Sequence, residues 1–443
     1  MKTFFHGFAI AVGAGAIAVF FMFVVFGLTH GGFADIASPA SQMLNTDAFI
    51  PPQKTKEELI AEALEKSGNI KGIYMTADVA SDAGAGATRL RNSLIKLAED
   101  TEINGIVIDV KEVCGADFNE KMIKSLLEEL HQKNIWAIAR IVVMKDASQV
   151  EMHPEWYLKR SVPKTVGDEC SRKRHLRIKN PNGVDSKIIF WRDNRGGYWL
   201  DPASDGVRRH IADFSKKMID LGFDEIQFDY VRFPSDGDVE KIIYPAWDKK
   251  TQKYAVMKSF FEFLHNDLKA YKPDIILSAD LFGYAAIREG DVGIGQRLED
   301  IGNSFDYISF MVYPSHYYSG FYLPADSANN LPAVNFNVNQ ARLHPDVIIG
   351  RSLQFARDFL DGKHAATSSS ATTTVETLTA PASKARLRPW LEDFYHDADK
   401  AAKRPYGSQK VRLQIDAADK TENHGWLLWN AANVYTEGAL KKE

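Results

Sequence analysis

The sequence predicts an α/β protein, a (β/α)8 TIM barrel preceded by an N-terminal transmembrane helix and a tether. Three observations lead there. From residue 70 onward, strand-like and helix-like stretches alternate through eight repeats. The crossovers, about 10–20 residues long, return each strand parallel to the last. No glycine-rich phosphate loop follows the first strand, so the usual sign of an open dinucleotide-binding sheet is missing. "GDVGIG" near residues 290–295 has the glycines but follows a loop.

The chain has 443 residues, 45% hydrophobic and 25% charged, which is globular and long enough for a large barrel. The net charge of -4 and the absence of a basic tail give no pointer to nucleic acid. From Gly7 to Leu28 there is no charged residue, and Lys2 precedes the run. About 20 apolar residues span a bilayer, whereas signal-peptide cores run about 7–15. Residues 1–30 therefore read as an uncleaved anchor with Lys2 on the cytoplasmic side, or as a signal segment cut near Ala34. Either way the remainder is expected outside the cytoplasm: membrane-anchored in the first case, secreted in the second. Residues 31–68 read as a tether containing "GGFADIASPASQ" and "PPQ", and 69–443 as the barrel. Cys114 and Cys170 are the two cysteines; they either pair, as an oxidising compartment allows, or stay free.

The elements follow in order. "IKGIYMTADVA" is a strand and "TRLRNSLIKLAEDTEI" has helical spacing. "GIVIDVKEV" is a strand, "NEKMIKSLLEELHQK" a helix, and "IWAIARIVVMKD" a strand. A polar excursion runs to Asp201. "SDGVRRHIADFSKKMIDLG" is a helix opened by an N-cap, Ser204. The fourth strand, "GFDEIQFDYVRFP", alternates Ile226, Phe228 and Tyr230 with Glu225, Gln227 and Asp229. In a barrel the apolar set packs on the helices, and Gln227 and Asp229 face the lumen. "KYAVMKSFFEFLHNDLKAYKP" is the next helix and "IILSADLFG" the fifth strand. A short helix near 294–301 leads to the sixth, "FDYISFMVYPSHY". "HPDVIIGRSLQFARDFLDG" is a helix with Pro345 in its first turn, "LRPWLEDF" the seventh strand, "PYGSQKVRLQIDAADKT" a helix and "GWLLWNA" the eighth strand. The Ser/Thr/Ala-rich stretch at about 364–385 breaks the rhythm as an insertion of low apolar content.

Active sites of such barrels sit at the C-terminal strand ends. The second strand ends with Asp109, Lys111 and Glu112, the third with Arg140, and the fourth with Asp229 and, just past it, Arg232. The fifth offers Asp280, the sixth Tyr313, His316 and Tyr317, the seventh Trp390 with Glu392 or Asp393, and the eighth Trp429 and Asn430. Burying one unpaired carboxylate is very costly, so several converging ones need an explanation. Two carboxyl groups between aromatic walls suit glycosidic cleavage: one protonates the leaving oxygen, the other attacks or activates water. Trp199, Trp390 and Trp429 could stack on sugar faces. Asp109 with Lys111 or Arg140 could equally be a structural ion pair.

"GFDEIQFDYVRFPSDG", "MVYPSHY", "RPWLEDF" and "GWLLWNAANVY" together resemble a bacterial putative glycoside hydrolase domain family, a TIM-barrel group without a settled substrate, over roughly residues 70–440. The resemblance implies glycan hydrolysis, with Asp229 as the leading catalytic carboxylate, Asp280 as its partner and Glu392 in reserve. Many such glycosidases carry Glu where this chain has Asp280. Asp109, Arg140, Arg232, Tyr313, His316, Trp390, Trp429 and Asn430 are then candidate substrate-binding residues.

The expectation is a glycoside hydrolase acting on a cell-envelope or extracellular polysaccharide, with glycan and membrane as partners. No metal or other cofactor is needed for this chemistry, and no H-E-x-x-H spacing occurs. A non-catalytic glycan-binding barrel is the second reading. A barrel lyase or metal-dependent hydrolase is the third, and His316 alone is too little for it.

Overall fold

The computed structural model describes residues 54–171, 188–363, 383–403, 406–422 and 424–442. Strands β1 (Ile70–Met75), β2 (Gly105–Lys111), β3 (Trp136–Val142), β4 (Glu225–Asp229), β5 (Ile276–Phe282) and β6 (Tyr307–Met311) pair in sequence order, all parallel. A short antiparallel hairpin, β7 (Phe321–Leu323) and β8 (Val334–Phe336), lies outside this sheet. β9 (Arg386–Leu387) and β10 (Trp390–Glu392) flank Arg388 and Pro389 and act as one interrupted seventh strand, since both pair with β6. Proline cannot donate to a ladder, so the interruption falls where the sequence requires it. β11 (Gly425–Trp429) pairs with β10 and β1 and closes the ring. The expected eight-stranded parallel barrel is therefore present.

The helices Ala85–Asp100, Glu120–Gln132, Asp205–Leu221, Lys253–Tyr271, Pro345–Leu360 and Ser408–Thr421 are the main crossovers. The Asp205–Leu221 helix shows why the sequence forms them. Its buried Val207, Ile211, Ala212, Ser215, Met218 and Ile219 recur at helical spacing. Ser204 caps it through Val207 N–H, worth about 1 kcal/mol, and Gly222 ends it at φ 107°, a left-handed turn that favours glycine. The short helix expected at 294–301 spans Leu298–Ile301 only. The β7–β8 hairpin was not foreseen.

Inside the ring the floor is ionic. Arg388 and Glu225 are fully buried and joined by two hydrogen bonds, 3.0 and 2.8 Å, and Arg388 also donates to Ser67 O. Glu225 is thus a paired charge. Above the floor, Val107, Ile138 and Leu427 fill the lumen, and the polar side chains of the mouth lie above them. Helix α1 (Lys56–Lys66) falls within the stretch read as tether, yet its last turn is tied to the barrel through Arg386, which donates to Leu64 O at 2.7 Å.

Cys114 and Cys170 form a disulfide linking the end of β2 to the polar excursion. Among the described residues no helix is long and apolar enough to cross a membrane. The apolar run Gly7–Leu28 and most of the 364–385 insertion lie outside the described residues.

Candidate active site

Arg140, at the centre of the mouth, organises the acids. The β2–β3 register sets it directly beside Asp109. Its Nη1 meets Asp109 Oδ1 at 2.5 Å, its Nη2 pairs with Asp229 Oδ2, and its Nε lies 3.6 Å from Asp280 Oδ2. Three acids from three strands, which the strand ends place at the mouth, thus meet on one guanidinium, a common partner that the sequence reading did not name. Burial opposes the charge on Arg140, but the surrounding acids hold its pKa well above the ordinary value.

The three acids differ in their surroundings. Asp109 also accepts from the Tyr74 hydroxyl, and it lies below the cleft without lining it. Burial pushes its carboxyl up, against the pull of Arg140. Asp229 borders the cleft, and both its oxygens accept hydrogen bonds, from Arg140 and from Tyr230 N–H at 2.6 Å. Asp280 also borders it; Oδ1 accepts from Trp390 Nε1 at 2.8 Å, while buried Oδ2 has no hydrogen-bond partner. Burial and then the negative charge of Asp229 push the Asp280 carboxyl well above the usual carboxylate range. Asp280 therefore holds its proton more tightly than an ordinary carboxylic acid, beside an Asp229 side chain oriented by two hydrogen bonds.

The strand ends at Asp229, and Tyr230 takes φ 56°. A bulky residue rarely adopts this left-handed conformation. The turn corrects one expectation: the Tyr230 ring lines the cleft, although Ile226 and Phe228 pack outward as expected.

The cleft encloses about 450 Å³. Of the expected residues, Arg140, Asp229, Arg232, Asp280, Tyr313, His316, Trp390 and Trp429 line it together. Tyr313 and Trp429 stand 6.0 Å apart, each packed against Phe394. Burial lowers the His316 pKa to about 4, so its imidazole is neutral at neutral pH. Trp199 does not line the cleft; it backs Arg232, with its Nε1 held by Asp193.

Glu392 and Asn430 sit away from the cleft lining. Glu392 accepts from Ser315 N–H at 3.1 Å and Ser315 Oγ at 2.6 Å, pinning the turn that presents His316. Burial raises its pKa to about 7. Asn430 Nδ2 donates to Asp393 O and to Val434 O, closing the C-terminal loop. Lys111, buried, pairs with Asp146 at 2.9 Å and not with Asp109. Reading the sequence missed Phe282, Tyr284 and Tyr318 in the cleft wall. Their signal was the aromatic residues just past two strand ends, in "DLFGY" and "SHYYSG". Among the described residues no group of three or more His, Cys, Asp or Glu side chains could hold a metal ion.

An eight-stranded parallel barrel with paired acids at its C-terminal mouth and an aromatic-walled cleft defines a glycoside hydrolase-like protein. Residues 72–435 match the sequence profile of the family described as "putative glycosyl hydrolase domain", and the chain belongs to that family. Among solved structures, a hypothetical protein from Ruminiclostridium thermocellum is 26% identical, over 47% of this chain and 96% of its own, with a TM-score of 0.35. Amy13B of Eubacterium rectale is 13% identical over 82% of this chain and 66% of its own, at a TM-score of 0.44. The noncanonic maltogenic α-amylase AmyB of Thermotoga neapolitana is 12% identical over 85% and 70%, at 0.41. No curated protein matches the sequence.

Proposed function

We propose that this barrel hydrolyses a glycosidic bond with Asp229 and Asp280, on a cell-envelope or extracellular polysaccharide. The observation that carries the reading is the unequal pair of acids across Arg140. Asp280, kept protonated by burial and by Asp229, donates its proton to the leaving oxygen. Asp229, oriented by Arg140 and Tyr230 N–H, attacks the anomeric carbon or activates water. Both acids touch one guanidinium, which keeps their nearest oxygens inside the ~9.5 Å upper limit for two-carboxylate cleavage. The Arg140 charge offsets the carboxylate that Asp280 becomes after donation, lowering the cost of that step. Tyr313, Trp390 and Trp429 offer ring faces for sugar stacking.

The barrel works outside the cytoplasm on this reading, tethered by its N-terminal segment or released from it. The Cys114–Cys170 disulfide supports an oxidising compartment.

A screen of bacterial envelope polysaccharides, read both for new reducing ends and for binding, tests the proposal. Cleavage of at least one glycan is expected. Binding without cleavage on every glycan would replace the enzyme with a glycan-binding barrel.

A further inference from the structure

The cleft holds a second cation that the acids do not claim. Arg232 is 6% exposed and lines the cleft. Among the described residues no carboxylate lies within ion-pair distance of it. Of the acids that act on its charge, Asp229 is committed to Arg140, and Asp193 to Lys145 at 2.7 Å and to Trp199 Nε1, while Asp236 stands beyond ion-pair distance. The guanidinium carbon lies among the rings of Trp199, Tyr230 and Phe282, 4.9, 5.1 and 4.5 Å from their centroids. Its Nη1 donates to Phe233 O at 3.0 Å and Ser235 Oγ at 3.2 Å. Among the described residues its Nε and Nη2 donors have no hydrogen-bond partner.

We propose that Arg232 makes this cleft selective for sugars bearing a negative group, a carboxylate or a phosphate. The inference rests on the reading that the cleft binds glycan, and it narrows the class of glycan.

A buried cation without a counterion is costly, and ring faces return only about 0.5–2 kcal/mol each. An incoming anion removes that cost, so the charge is kept for a ligand. Three ring contacts and two Nη1 hydrogen bonds hold the guanidinium in place, and its Nε–Nη2 edge is a fork suited to a planar carboxylate or to two phosphate oxygens. Arg195 adds positive charge at the rim. It is exposed, and its ion pair with Glu169 is long, at 3.9 Å. A neutral polysaccharide could accept hydrogen bonds from Arg232 through its hydroxyls but would bring no countercharge, so it would gain less from it.

The test titrates full-length protein with glucuronate, glucose 6-phosphate and glucose, followed by tryptophan fluorescence and calorimetry. Arg232→Gln and Arg232→Lys are run beside it, with folding checked by thermal denaturation. The wild-type protein should bind at least one anionic sugar about tenfold or more tightly than glucose, less so at high salt. Whichever of the two anions is preferred identifies the source of the charge. Arg232→Gln should lose the preference, and Arg232→Lys, which keeps the charge without the fork, should keep part of it. No preference in the wild-type protein, including no binding of any of the three, overturns the proposal. So does a preference that survives in a folded Arg232→Gln protein. Cleavage of neutral glycans without anionic preference would sink this inference alone. An Arg232-dependent preference without cleavage of any glycan would leave it standing while the hydrolase reading fell.

Discussion

Replacing Glu392 by Gln should stabilise the protein, by an amount that grows as pH rises from about 4.5 to about 7 and then levels off. Native Glu392 keeps its proton up to about pH 7, while in the unfolded chain it loses it near 4.5, as an ordinary glutamate does. Between those values the native state binds more protons than the unfolded state. Stability therefore falls as pH rises through this window, because the folded pKa is raised. The 2.5-unit gap, at 1.36 kcal/mol per unit, amounts to about 3 kcal/mol lost by pH 8. Glutamine can still accept both Ser315 hydrogen bonds and has no charge to bury. Urea unfolding of parent and variant should thus give nearly equal stability at pH 4, with the variant about 3 kcal/mol more stable at pH 8. Glu422, also raised to about 7, is present in both proteins and cancels in the difference. A difference that is the same at pH 4 and pH 8 would refute the buried, proton-holding role assigned to Glu392.

Other outcomes follow from the same contacts. Arg140→Met leaves three buried acids without their counterion, and should lower stability by about 3–5 kcal/mol in thermal or urea unfolding near neutral pH. The loss should shrink as pH falls and the acids take up protons. Asp280→Asn should lower hydrolysis by about 10²–10⁴-fold and remove the alkaline limb of the pH–rate profile, since the wild-type acid works only below its raised pKa. Substrates whose leaving group needs no proton should be spared most of that loss. Reducing the Cys114–Cys170 bond, or replacing both cysteines by Ser, should cost up to about 4 kcal/mol from the loop of 56 residues it closes. Denaturation with and without reductant measures it.

The fold was legible because its signals are local. Strand alternation, helical spacing, Ser204 and Pro345 each act within a few residues, and eight repeats leave a barrel as the compact solution. The convergence of Asp109, Arg140, Asp229 and Asp280 was also legible, since strand parity alone turns them inward. What their ionic partners would be was not. The choice between Lys111 and Arg140 for Asp109 depends on a register irregularity in β2 between Asp109 and Lys111. The floor pair Glu225–Arg388 joins residues 163 apart across the lumen, and no local pattern announces it. Tyr230 was misread because alternation assumes an extended backbone, and the chain leaves that conformation one residue after Asp229. Glu392 has the parity of Trp390, yet it serves the Ser315 turn. Side-chain reach at a strand end is set by the next loop and not by the strand.

The claim that Asp229 carries the chemistry is tested most directly by Asp229→Asn, compared with the wild-type protein on whichever envelope glycan is cleaved. The variant keeps the shape of the side chain but only one acceptor oxygen, so it can accept from Arg140 or from Tyr230 N–H, not from both. The account predicts that it folds, still binds the glycan, and releases reducing ends about 10²–10⁴-fold more slowly. Equal rates from the two folded proteins would contradict it.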